Sequence, residues 1–514
     1  MEKDSLIFYF DHMFDSVDPL IVLDECQRNV LLDNSKYLLV LAGAGSGKTT
    51  TMAAKVKYLI EIKKVLEKEI LVLSFTRKAT EEIRKRIQED FGFSNVSVWT
   101  FHKLGYQILK KNKKSFSVIT DPEKQKIFCE FLKENIKDPF FRNKLFLCFN
   151  KKYRLKEEYQ KLKKGEEPVF SFFILKFLLP FFSYLKGNKD PISTFSFYQK
   201  HTRFKEKLKW KILNDCFLFY QKKLTQLKKI DFEDMISLAD QTLSCQKESF
   251  PYRYLIIDEY QDISYQRFLL VKKLSECNDL KIMAVGDDFQ AIFGFSGSQV
   301  SLFMDFLKYF PSGKLLTIHE TYRNSQELID VASHFILKNT KQLEKNLYSK
   351  KHLNYPVQIF FYKNQEEKLH QVIKIIKENR KKSILLMGRY QEDCKFLLES
   401  SFFEMRNNRL ICTLYPESDL TFLTIHSAKG LGFEECILLN LEDTIYGFPS
   451  KIQDEKMMKR LKETQKEPIK YPEERRLFYV ALTRTKHHIY LLVPKKNPSS
   501  FINELKKESQ VLFH

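Results

Sequence analysis

The chain has 514 residues, 43% hydrophobic and 29% charged, which is too long for one compact core and suits two to four domains. No apolar run reaches the roughly 18 residues of a membrane helix. The N-terminus lacks a secretion-signal pattern, and the nine scattered cysteines hold no CxxC pair, which argues against a disulfide framework or a zinc or iron–sulfur site and for a cytoplasmic setting. Net charge is +21, and it is not spread evenly. Residues 103–230 carry 31 Lys and Arg against 12 Asp and Glu, while the rest carries 55 against 53. A polyanion is the expected partner of that segment, with a merely solvated basic surface as the plain alternative.

In chain order, short apolar runs end at polar or glycine-containing residues: "YLLVLAG" (37–43), "ILVLSFT" (70–76), "YLIIDE" (254–259) and "IMAVGDD" (282–288). They read as buried parallel strands. A second set follows: "VQIFFY" (357–362), "ILLMGR" (384–389), "TFLTIH" (421–426), "CILLNL" (436–441) and "HIYLLV" (488–493). Helical patterns lie between, such as 78–91 and 366–380. This alternation is an α/β fold occurring twice, with parallel sheets flanked by helices. Residues 103–230 lack strand runs and read as an α-helical insertion in the first unit.

The stretch "LAGAGSGKTT" (41–50) follows a strand and opens a helix, the setting a P-loop requires. Ala42, Gly43, Ala44, Gly45, Ser46 and Gly47 wrap a phosphate chain with backbone N–H groups. Lys48 reaches the outer phosphates, Thr49 can ligate Mg²⁺, and Thr50 continues the turn. "LIIDEYQD" (255–262) adds Asp258 at a strand end, placed to hold Mg²⁺, and Glu259 beside it, placed to orient and deprotonate a water. "VGDDFQAIFGFSGS" (285–298) joins a polar end, with Gln290, to an aromatic end, with Phe293 and Phe295 flanked by glycines. The aromatic spacing suits base stacking; burial of both rings in a core is the alternative.

The order GAGSGKT, FTRKA, TFH, DEYQD, GDDFQAIFGFSG, TYRN, TIHSAKGLGF and EERRLFYVALTRTK resembles superfamily 1 DNA helicases of the UvrD/Rep type, over about Leu23 to Val493. The YGFPS stretch (446–450) is similar to the helicase IV side of that family. The resemblance implies two RecA-like domains clamping ATP and Mg²⁺. The first covers residues 1–102 and 231–310, with 103–230 inserted. The second covers 311–390 and 421–514, with only 391–420 where longer relatives carry a large insertion.

It further implies that Gln27 reads adenine, Tyr322 stacks on it, and Gln290 senses the γ-phosphate. Arg323 and Arg484 would reach that phosphate from the second domain. Phe75, Thr100, His102, Phe293, Phe295 and His426 would contact a single strand. The implied activity is an ATP-dependent 3′→5′ DNA helicase or translocase on single strands and single–double strand junctions. It would be monomeric, with repair or replication proteins as partners and no membrane.

Three departures stand out. Ser296 replaces an arginine common after the aromatic end, Gly432 replaces a ribose-touching glutamate, and the second insertion is nearly absent. The basic first insertion is expected to take over part of the duplex contact. Two rival readings remain: an ATPase that remodels a protein complex, and one subunit of a helicase–nuclease. The short stretch before Gln27 and the short one after Arg484 argue against both.

Overall fold

The computed structural model describes residues 3–111, 116–168, 170–245, 250–277, 279–406, 409–462 and 469–514. Sixteen strands occur among them: β1 (Tyr37–Ala42), β2 (Ile70–Ser74), β3 (Ser97–Thr100), β4 (Ser117–Val118), β5 (Lys229–Ile230), β6 (Tyr254–Ile257), β7 (Lys281–Gly286), β8 (Lys314–Ile318), β9 (Val357–Tyr362), β10 (Ser383–Gly388), β11 (Phe403–Arg406), β12 (Arg409–Cys412), β13 (Asp419–Thr424), β14 (Glu435–Leu438), β15 (Ile489–Pro494) and β16 (Val511–Phe513). Two six-stranded sheets form, in the orders β3-β2-β6-β7-β1-β8 and β13-β10-β14-β15-β9-β16. Every pairing within both sheets is parallel. Matching β1 to β9, β2 to β10, β3 to β13, β6 to β14, β7 to β15 and β8 to β16 superposes the two orders, so one topology is used twice.

Each sheet is covered on both faces, which is why its strands read as unbroken apolar runs. Along β1, Leu39 and Leu41 enter one core and Leu38, Val40 and Ala42 enter another across the sheet. Along β10, Leu385 and Met387 divide from Ile384 and Leu386 in the same way. Each predicted run overlaps an observed strand. Within the two six-stranded sheets the strands with no predicted run are the edge strands β3, β8 and β16; the short pairs β4–β5 and β11–β12 have none either.

The first sheet's last strand, β8, pairs with β1 beyond residue 311, so the crossover to the second sheet follows Ile318. The helix Phe101–Lys111 packs on the helix Phe232–Cys245 of the first sheet. The two-residue ladder of β4 and β5 then marks the base of the helical insertion. Helices from Asp121 to Leu227 close around their own aromatic core, which holds Phe128, Phe181, Tyr220 and Trp210. In the second unit, the described residues of 391–412 form a short helical stretch over 391–398 and the antiparallel pair β11–β12. No described helix is long and apolar enough to cross a membrane.

Candidate functional site

A cleft of about 780 Å³ lies between the two sheets' loops. Gly43 to Thr50 line it, with Asp258, Glu259, Gln290, Tyr322, Arg323 and Arg484. Gly45 and Gly47 have φ of +75° and +77°, a backbone region that costs other residues energy. A Cβ on Gly45 would lie 2.4 Å from Arg323 Cβ. The helix Lys48–Glu61 starts directly after, so its N-terminal N–H groups face the cleft mouth, a favourable place for an anion. Ala42 does not join this group; it is a fully buried residue of β1, paired with Ile318.

Glu259 occupies the left-handed region at φ +49°, strained for a side chain of its size, and lies 3.4 Å from Lys48 Nζ. Lys429 Nζ lies 3.5 Å from its other oxygen and 2.6 Å from Asp262. Burial alone would raise the Glu259 pKa, but Lys48 and Lys429 outweigh it and hold the carboxylate ionised. Burial, reinforced by Glu259, pushes Asp258 the other way. Two neighbouring acids are thus driven apart: Glu259 is held ionised by its two lysines, and Asp258 is pushed toward its protonated form by burial and by Glu259. Ser74 Oγ and Asp262 Oδ1 are buried here without hydrogen-bond partners. Among the described residues no cluster of three or more His, Cys, Asp or Glu is built to hold a metal alone. The residues fit a magnesium ion that arrives with phosphates: Thr49 and Asp258 share the cleft, and Mg²⁺ characteristically takes few protein ligands.

Gln27 is buried, donating from Nε2 to Ser46 O at 3.2 Å and capping its helix jointly with Asp24. The Tyr322 hydroxyl donates to Asp24 at 2.9 Å, so Gln27 and Tyr322 meet at one carboxylate. Tyr322 N–H donates to Gly45 O, and Thr321 Oγ1 to Ala44 O at 2.7 Å. Arg323 stays near the carbonyls of Thr483 and Gly430. Arg484 is fully buried, donating to Val480 O, Leu431 O, Thr483 Oγ1 and, at 3.2 Å, Gln290 Oε1. Burial and Arg323 bring its pKa down to about 9, so it keeps its charge at neutral pH.

The same cleft reaches the aromatic end. Phe293, Phe75 and His426 line it too. Phe295 is 51% exposed, with its ring 6.0 Å from Phe293 and 5.3 Å, edge-on, from His426. Lys429 Nζ lies 5.1 Å from the Phe293 ring. A second hollow beside it is lined by Phe75, Thr100, His102, Arg77 and Arg84. Thr100 Oγ1 accepts from Lys103 N–H, and the His102 ring lies 4.8 Å from Phe232. The loop 285–298 therefore joins an amide that lines the P-loop cleft to an exposed aromatic ring.

Comparison with known proteins decides the kinship. The UvrD/REP helicase N-terminal domain matches residues 23–311, and the UvrD-like helicase C-terminal domain matches 404–496. This chain belongs to the UvrD/Rep helicases. DNA helicase IV of Escherichia coli (strain K12) is 29% identical over 94% of this chain and 70% of its own length. ATP-dependent DNA helicase PcrA of Bacillus subtilis (strain 168) is 25% identical over 67% of this chain and 43% of its own. ATP-dependent DNA helicase Rep of Buchnera aphidicola subsp. Acyrthosiphon pisum is 26% identical over 72% and 55%. The chain thus spans about half the length of the latter two.

Within this UvrD/Rep helicase, sequence reasoning passed over several residues of the site. Lys429, inside the quoted "TIHSAKG", bridges Glu259, Asp262 and the Phe293 ring. Glu473 accepts from Gly294 N–H at 2.9 Å, tying the aromatic loop to the helix Pro472–Leu482. Gln261 donates to Glu259 and accepts from Asp287 N–H. Gln261 and Glu473 lie inside quoted motifs, DEYQD and EERRLFYVALTRTK, but their partners Asp287 and Gly294 are distant in sequence, so the motif alone does not reveal these contacts.

Proposed function

We propose that this protein is an ATP- and Mg²⁺-dependent motor of the helicase IV kind that moves 3′→5′ along single-stranded DNA and acts at single–double strand junctions. The observation that carries this reading is the single loop 285–298. It sets Gln290 against Arg484 and, three residues later, Phe293 beside His426. A change at the phosphates that moves Gln290 must strain the rings of the same short segment.

Lys48 and the P-loop N–H groups bind the phosphates. Glu259, kept ionised, accepts a proton from the attacking water. Arg323 and Arg484 supply fixed positive charge where negative charge builds up on the phosphates, a device worth about 10³–10⁵ in rate. Thr49 and Asp258 would hold Mg²⁺, which neutralises charge on the phosphates. Gln27 and Tyr322 form the adenine side. Phe75, Phe293, Phe295 and His426 offer stacking surfaces, at ~1–3 kcal/mol per base and without sequence preference. Thr100 and His102 contact the strand backbone. The helicase IV kinship is supported by one relative's name, and the polarity and the junction preference by the resemblance in motif order alone.

ATP hydrolysis measured with and without a single-stranded oligonucleotide, beside Lys48→Ala, tests the reading. Stimulation that Lys48→Ala abolishes is the expected result. Robust hydrolysis indifferent to DNA would overturn it in favour of protein-complex remodelling. The basic insertion is proposed to grip duplex. Neutralising Lys161, Lys163 and Lys164 is expected to shallow the salt dependence of duplex binding, by about one unit of log–log slope for each phosphate no longer neutralised. An unchanged slope would remove that cluster from the grip.

A further inference from the structure

Between the helix Gln326–Ile336 and β9, residues 337–349 cross from the second unit back to the P-loop. Lys345, in this crossing, is wholly buried. Its ammonium lies 2.6 Å from Asp287 Oδ1, pairs also with Asp288 Oδ1, and sits 3.7 Å from the Phe289 ring centre. Two residues on, Leu347 covers Gly43 so closely that a Cβ there would lie 2.8 Å from its Cδ1. Three residues back, Gln342 Oε1 accepts from Arg476 of the helix Pro472–Leu482. The mechanism above leaves this buried cation without a task.

Its chemistry supplies one. Asp287 receives Lys345 on Oδ1 and Gln290 Nε2 on Oδ2 at 2.7 Å. An ionised carboxylate only accepts hydrogen bonds, so it forces the Gln290 amide to turn its NH₂ inward and its oxygen outward. That oxygen is the atom 3.2 Å from Arg484. An unpaired buried Asp287 would take up a proton or swing out. A protonated Asp287 donates, and the Gln290 amide then flips to present NH₂ to a guanidinium, a repulsive pairing.

We propose that Lys345 is a positioning residue for hydrolysis. By keeping Asp287 an acceptor, it fixes the orientation of Gln290 and so the register between Gln290 and Arg484. Lys345 is kept charged: burial opposes this, but Asp287 and Asp288 more than offset it. The inference rests on the proposed roles of Gln290 and Arg484.

Lys345→Met alone leaves two buried acids uncompensated, so the test uses Asp288→Asn/Lys345→Met, which preserves the local net charge. Steady-state hydrolysis is measured at saturating single-stranded oligonucleotide, with thermal unfolding beside it. The expected result is a fall in kcat of about tenfold or more, KM for ATP within about threefold, and cooperative unfolding retained. Gln290→Ala should cost about tenfold in the wild-type background and less than about twofold in the double variant. Multiplicative effects, an unchanged kcat, or loss of cooperative unfolding would each overturn the proposal. Lys48→Ala separates the two levels. Hydrolysis that survives it would fail the site reading and this proposal with it; hydrolysis abolished by it alongside multiplicative Lys345 and Gln290 effects would fail this proposal only.

Discussion

Arg484 Nη2 donates to Gln290 Oε1 at 3.2 Å, so a residue of the crossover between β14 and β15 of the second sheet touches the loop that follows β7 of the first. The guanidinium spends its other N–H groups on Val480 O, Leu431 O and Thr483 Oγ1, all within its own unit. It is thus fixed before it meets its target, and a planar fork with five donors is needed to do this. Arg484→Ala is expected to lower DNA-stimulated hydrolysis about 10³-fold or more. Single-strand affinity without nucleotide should stay within about threefold. Arg484→Lys should recover little, because one ammonium cannot reach these acceptors in that geometry. Recovery to within tenfold of wild type would show that charge alone suffices.

Much of this frame was legible in the sequence. Strands buried on both faces are apolar throughout, so β1, β2, β6, β7, β9, β10, β14 and β15 announce themselves, and the edge strand β13 does so through its own apolar run. The edge strands β3, β8 and β16 do not. Lys314–Ile318 exposes Lys314 and Leu315 and is half-buried at the next two residues, so its run is short and ambiguous. Phosphate loops are legible because their chemistry is local in sequence. Lys345 is not, because its partners lie 57 and 58 positions away and only the fold brings a lysine from "LEKNLYS" under "GDDF".

Gly432 has a steric task. A Cβ there would lie 2.9 Å from Arg323 Nε and 3.2 Å from its Cζ. Those are the far atoms of a flexible side chain, so the protein folds around the intrusion by moving the arginine. Gly432→Ala is therefore expected to leave thermal stability within about 0.5 kcal/mol while reducing kcat about tenfold. A kcat equal to wild type would show that Arg323 does not depend on this gap.

Histidine titration gives a pH prediction. Burial, then Arg267 and Lys124, brings His102 down to about 4; burial, then Arg389 and Lys429, does the same to His426. Both rings are neutral at physiological pH, so on the proposed reading they would meet the strand as uncharged surfaces. Single-strand affinity should show no step near pH 6.5 between pH 6 and 8. A step removed by His102→Ala or His426→Ala would mean the imidazolium binds. For stability the sign is fixed by linkage. Unfolded histidine binds a proton near 6.5 and the folded rings near 4, so the stabilisation is complete above 6.5. It is lost as pH falls through that window, at up to about 1.4 kcal/mol per pH unit for each ring. His102→Gln/His426→Gln should flatten the unfolding temperature between pH 6.5 and 5.

The second unit also reaches into the first through a strap. Met457, Met458 and Leu461, on the helix Lys456–Leu461, are buried in the core of the helical insertion. Beside them Arg460 pairs with Glu206 at 2.7 Å, the Tyr198 hydroxyl donates to Arg460 O, and Lys152 lies 3.0 Å from Glu455. Exposed pairs of this kind contribute little; the apolar anchors carry the attachment. Removing a buried Leu side chain costs about 2–5 kcal/mol when the site cannot collapse. Leu461→Ala should therefore lower the unfolding temperature of the insertion, and Arg460→Ala should change it much less. The next described helix in chain order, Pro472–Leu482, bears Glu473, which holds the aromatic loop through Gly294. Loosening the strap should thus weaken DNA stimulation of hydrolysis more than basal hydrolysis. Equal losses in both rates, with the unfolding temperature unchanged, would show that the strap neither anchors the insertion nor couples it to the strand.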